Sequence, residues 1–233
     1  MRVLTRLAVP TVLLLALSAC SASQQAEPER PLRAALTTPT DVDLTWRDER
    51  AAVAGHALEY AAAPQGPYTV LQYLDHGVTT YRHPDLMPDT TFYYRLRTYR
   101  GPASTPVAVD LPAGDWTADE ENADHDWLPA RTRPGHQGAE RALPAGAPTD
   151  LRAVVKEANG ILFTWTDNSA DEDGFLLEIR RQGSKAYAPV AVLDPDINST
   201  GLVTLPEEKH ASYRIRAFAY GERSNVVHLT TGE

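Results

Sequence analysis

Cysteine occurs once in the 233 residues, at Cys20, so no internal disulfide can staple the chain and its cores must rest on packing alone. Lysine is nearly missing: Lys156, Lys185 and Lys209 are the only three, arginine supplies the remaining positive charge, and the formal net charge is −9. An acidic chain without a basic stripe cannot neutralise a phosphate backbone, which excludes nucleic acid as an expected partner. Catalytic signatures are missing too. There is no G-x-S-x-G elbow, S-x-x-K pair, H-E-x-x-H helix or glycine-rich phosphate loop. The seven histidines, His56, His76, His83, His125, His136, His210 and His228, share no metal-ligand spacing. Function must be argued from a site, so neither an enzyme nor a cofactor is expected. What the chain does have is 42% apolar residues, enough to build cores.

The first twenty residues, "MRVLTRLAVPTVLLLALSAC", place Arg2 and Arg6 ahead of an apolar run and small residues ahead of Cys20. That run of about ten residues is too short to span a bilayer. "LSAC", Leu17 to Cys20, resembles the lipobox of bacterial lipoproteins, and the resemblance implies cleavage before Cys20 and lipidation of its sulfur. Two or three acyl chains, at ~0.8 kcal/mol per buried CH₂, anchor stably where one would not. The expectation is a signal peptide over 1–19, a lipidated cysteine and tether over 20–31, and a body facing the extracytoplasmic side of a cell membrane or outer membrane. The tether reaches ~35–40 Å at full extension, which sets the first folded unit near the membrane and the second further out.

Sliding the sequence against itself by 119 residues aligns "LRA" at Leu32–Ala34 with "LRA" at Leu151–Ala153 and Thr45–Trp46 with Thr164–Trp165. The register continues through Gly55 and Gly174, Glu59 and Glu178, Tyr68 and Tyr187, and Tyr94, Arg95 and Arg97 with Tyr213, Arg214 and Arg216. One unit therefore occurs twice. Within it the period is two: "VDLTWR" and "ILFTWT" alternate apolar and polar, and turn-rich stretches separate such runs. The reading is all-β, two tandem antiparallel β-sandwiches.

Trp46 and Trp165, "LMPDTTFYYRLR" at Leu86–Arg97, "SYRIRA" at Ser212–Ala217 and "TWTDNSADEDGFLLE" at Thr164–Glu178 resemble bacterial fibronectin type III modules. The resemblance implies immunoglobulin-like sandwiches over 32–111 and 148–232, separated by a charged, flexible linker over 112–147. Such folds pin their E–F connection with a tyrosine hydroxyl. The matching positions hold Phe92 and Ala211, which predicts a looser connection, above all in the second module. The linker is rich in Pro, Gly, Ala and charge, with Trp116 and Trp127 as its apolar exceptions, expected either to dock on a module or to stay exposed for binding.

Four groups of residues stand out as candidates for chemistry, structure or binding. Asp167, Asp171, Asp173 and Glu178 echo a calcium loop, but the position needing its tight-turn glycine holds Glu172, so side chains capping turn amides are the stronger reading. Gly55 and Gly174 enter the third strand of each unit, where positive φ or a bulge suits glycine. Arg95, Arg97, Arg214 and Arg216 alternate outward opposite Glu59 and Glu178, as cross-strand pairs or as an anion-binding ladder. Alternation also turns Tyr93 and Tyr99 outward, where rigid amphipathic rings suit a protein or sugar. The function expected is noncatalytic binding of an unidentified envelope protein or glycan by a membrane-anchored module, with a structural spacer and an accessory part of an envelope hydrolase as alternatives.

Overall fold

The computed structural model describes residues 32–48, 50, 52–121, 123–138 and 146–232. The signal peptide, Cys20 and the tether lie outside these residues.

In the first half, β1 (Arg33–Leu36), β2 (Val42–Thr45) and β5 (Thr80–His83) form one sheet, and β4 (Thr69–Asp75), β3 (Gly55–Ala61) and β6 (Thr91–Arg100) form the facing one. The second half repeats this with β8 (Thr149–Glu157), β9 (Gly160–Thr166) and β12 (Ser199–Val203) against β11 (Ala188–Leu193), β10 (Gly174–Arg181) and β13 (His210–Arg223). All pairings between these strands are antiparallel. The alternating residues account for both cores: Val42, Leu44 and Trp46 are buried in the first, and Ile161, Phe163 and Trp165 in the second.

The last strand of each repeat does not close on its own sandwich. β7 (Val107–Asp110) follows β6 in the chain but pairs with β13, and β14 (Val227–Thr230) follows β13 but pairs with β6. Val109 and Leu111 are buried in the second core, while Val227 and Leu229 pack on the first. The connecting segments run straight on instead of turning back: Ala103 bridges Arg216, Ser104 N–H donates to the Ile215 carbonyl (2.8 Å), and Ser224 N–H donates to the Leu96 carbonyl (2.9 Å). Between them β6 and β13 pair directly, Ala219 opposite Arg100 and Tyr220 opposite Tyr99, which fuses the two facing sheets into one of eight strands. This replaces the self-contained units expected over 32–111 and 148–232. A hairpin would need a tight turn within "GPASTP" at 101–106, but Pro102 and Pro106 fix φ and favour extension in the residues before them. Gly101 fits the crossing because it has φ +136° and a Cβ there would lie 2.0 Å from the Ala217 carbonyl oxygen.

The expectation of a flexible linker is also overturned for its described residues. Trp127 is buried over Gly160 and Gly201, where any Cβ would approach its ring to 2.6–2.7 Å. Arg131 pairs with Ser199 and Leu128 accepts from Gly201 N–H at 2.9 Å, so the segment covers the open edge of β12. Asn198 fastens it further, accepting from Arg133 N–H (2.6 Å) and donating to the Arg133 carbonyl (3.1 Å). A polar, proline-rich composition reads as disorder from sequence, yet here the backbone finds hydrogen-bond partners along a strand edge.

Candidate functional site

The outer face of the eight-stranded sheet carries the same three-residue arrangement twice. In the first half the Arg95 guanidinium stacks 3.8 Å above the Tyr68 ring and its Nε donates to Glu59. In the second, Arg214 stacks 3.9 Å above Tyr187 and donates to Glu178, whose other oxygen takes Arg216 Nε at 2.8 Å. The cross-strand pairing expected from alternation is present, but Glu59 and Glu178 are buried, at 5% and 2% exposure. Each carboxylate is satisfied by guanidinium, and the tyrosine rings shelter the pairs.

The halves differ at one position. Arg216 is matched in the repeat by Arg97, and Arg97 makes no ion pair among the described residues. It lies 3.9 Å over the Tyr220 ring with its Nε buried and unpartnered.

Tyr99 does sit on the outer face, but it is fully buried, which corrects its placement on a binding surface. It packs with Leu176 and Phe218, flanked by Tyr73 and Tyr220, in a small core between the halves, and its hydroxyl donates to the Leu74 carbonyl at 3.0 Å. Alternation found the face; the cover comes from the other repeat, which no local pattern encodes. Tyr93 remains half-buried and stacks on His228 at 5.4 Å. Trp127 is buried, and Trp116 is half-buried against His125 (4.6 Å), whose Nδ1 lies 3.0 Å from Glu157. Of the four expected contact residues, Tyr93 and Trp116 keep exposed surface.

The acidic loop does not gather its proposed calcium ligands. Glu178 is committed to Arg214 and Arg216, and Asp173 accepts from Tyr220 N–H at 2.7 Å. Asp167 is buried, accepts from Ser169 N–H (3.0 Å), and binds the linker through its backbone at His136 and Gly138. Its carboxylate approaches Glu172 and Asp196 within 4.8 Å, a different grouping from the one expected. The stretch is a turn that anchors the linker. Gly174 has φ +154°, and a Cβ on Gly55 would lie 2.2 Å from the Leu74 carbonyl and the Tyr99 hydroxyl, so both strand-entry glycines are required by close approach.

The second repeat does have a tyrosine corner. The buried Tyr213 hydroxyl donates to the Glu208 carbonyl at 3.2 Å, two positions beyond the residue expected to fill the role. Its repeat mate Tyr94 contacts His83 Nδ1 at 3.0 Å instead. The looser connection predicted for the second module is therefore not found, because Tyr213 supplies the hydroxyl that Ala211 lacks.

One buried polar pair was not anticipated as a pair. His56 Nε2 lies 3.0 Å from Asp48 Oδ2, both side chains 1% exposed, and Arg50 Nε reaches Asp48 at 3.1 Å. Burial pulls the His56 pKa below its ordinary 6.5, against the opposing pull of Asp48. The unfolded chain thus binds the proton more readily, so the stability from neutral His56 is complete above about pH 6.5 and is lost as pH falls towards the folded value. We expect thermal unfolding to show a stability slope below pH 6.5 that His56→Phe, the residue at matching Phe175, makes shallower. His83, lowered by burial alone, supplies a remaining part. An unchanged slope in that variant would refute the assignment.

No family model and no curated protein matches the chain. Among similar solved structures, a two-domain fibronectin type-III segment of chicken tenascin is 16% identical, covers 85% of this chain and 95% of its own, and has a TM-score of 0.27. The fn3 domain of human contactin 1 is 14% identical over 36% of this chain and 77% of its own, with a TM-score of 0.26. The class rests on the strand order itself: in both halves three strands face three strands plus a borrowed fourth. The protein is a pair of antiparallel β-sandwiches, each of three strands against four.

Proposed function

We propose that this chain is an exported, lipid-anchored envelope protein whose two sandwiches act together as one stiff, noncatalytic scaffold. The observation that carries the reading is the exchange of final strands, which joins the halves through a continuous sheet instead of a hinge. Packing has also absorbed Tyr99 and Trp127, so less of the aromatic surface is left for a protein or glycan ligand. Export and anchoring rest on the resemblance at Leu17–Cys20 to a lipobox. Cys20→Ala should leave the chain unlipidated and release it from the membrane fraction, read by fatty-acid labelling and fractionation. Retention of label in that variant would defeat the anchoring. Small-angle scattering of the soluble body should fit one rigid particle; a profile requiring two independently moving beads would defeat the scaffold. The second reading, ligand binding, is favoured by one local feature, the uncompensated Arg97.

A further inference from the structure

We infer that the seam between β6 and the β13–β14 run is a binding site for an anionic saccharide, with Arg97 and Arg223 taking its oxyanion. This goes beyond the scaffold reading and stands or falls separately from it.

Arg97 and Arg223 face one another as register partners across adjacent antiparallel strands. Like charges directly opposite destabilise a sheet, and the rest of the outer face avoids the problem by matching Arg95, Arg214 and Arg216 to glutamates. Among the described residues no carboxylate lies within ion-pair distance of Arg97 or Arg223, in a chain whose formal charge is −9. The repeat sharpens the contrast: Glu178 serves two arginines, whereas Glu59 serves Arg95 alone. Arg97 Nε is buried without a hydrogen-bond partner, so no protein acceptor offsets the charge of this guanidinium at that atom. Arginines at opposed positions of neighbouring strands offer forked donors matched to a carboxylate or phosphate. The Tyr220 ring under Arg97 holds its plane in place.

Further along the same seam Tyr93 opposes His228, and the two rings stack at 5.4 Å. Tyr93 and Arg97 are four residues apart on one strand and one face, about 13 Å at the usual rise per residue. A ligand reaching both must be extended, with an oxyanion at one end and a ring to lie against Tyr93 at the other. An acidic oligosaccharide meets that description, whereas a lone anion meets only half of it.

The test uses the full chain in detergent, titrated by calorimetry with polygalacturonate, with neutral dextran and with inorganic phosphate. Polygalacturonate should bind and dextran should not. Arg97→Gln and Arg223→Gln should each weaken polygalacturonate binding about tenfold or more, the scale of a lost charged hydrogen bond. Tyr93→Ala should weaken polygalacturonate and leave phosphate binding unchanged. Without ligand, Arg223→Gln should raise the melting temperature by relieving the like-charge pair, and this variant keeps the experiment interpretable if Arg97→Gln fails to fold. Phosphate binding with no polygalacturonate binding would overturn the saccharide. Equal dextran binding, no binding at all, polygalacturonate binding indifferent to both arginines, or a lowered melting temperature for Arg223→Gln would overturn the site.

Discussion

Val109→Asp unfolds the second sandwich first, although Val109 belongs by sequence to the first repeat. Its side chain is 6% exposed and sits in the core of Ile161, Phe163 and Trp165, carried there by β7. A carboxylate buried among those residues has no partner, and the expected loss is at least about 3 kcal/mol. Leu229→Asp produces the mirror effect, because β14 lays that residue on the first core opposite Phe92. Hydrogen exchange reads both results: Val109→Asp accelerates exchange in β10 before β3, and Leu229→Asp does the reverse. If each variant instead loosened its own repeat first, the strand exchange would be wrong and each sandwich would close on itself.

The second large effect belongs to Glu178. Glu178→Ala leaves Arg214 and Arg216 side by side on β13, only 22% and 10% exposed and without their shared carboxylate. Removing one member of a buried charge cluster costs about 3–5 kcal/mol, most of it the penalty on the stranded partners. Glu59→Ala strands a single arginine, Arg95, and should cost clearly less. Urea denaturation of the two variants beside the parent measures the difference directly. Equal midpoints would mean that Arg216 is held by the Gly101 carbonyl rather than by Glu178.

Local pattern carried the two sandwiches, the buried tryptophans Trp46 and Trp165, the Glu–Arg pairs and the strand-entry glycines. These follow from alternation and from internal repetition, both written along the chain. The destination of β7 was not legible, since "VAVD" alternates equally well beside either β6 or β13. The fate of Tyr99 shared that cause, because alternation assigns a face but not what lies across it. The order of the linker is illegible for a different reason. Its order comes from backbone bonding to β12 and from a slot made by two glycines, and neither leaves an apolar period. Tyr213 is plain in the sequence, but the corner tyrosine stands two residues beyond the position that the family resemblance implies. The pairing of Arg97 with Arg223 depends on a register between strands more than a hundred residues apart, which no window of sequence contains.

Leu32 is clamped on both sides by Asn225, which accepts from its N–H at 2.9 Å and donates to its carbonyl at 3.0 Å. Asn225 belongs to the crossing segment, while the far tip of that sandwich is closed by Gly232 N–H on the Pro39 carbonyl. The chain therefore enters the body at its flank, beside the crossing, and not at an end. A pull on the chain at Leu32 would load the crossing shared by both sandwiches, and not the tip of one.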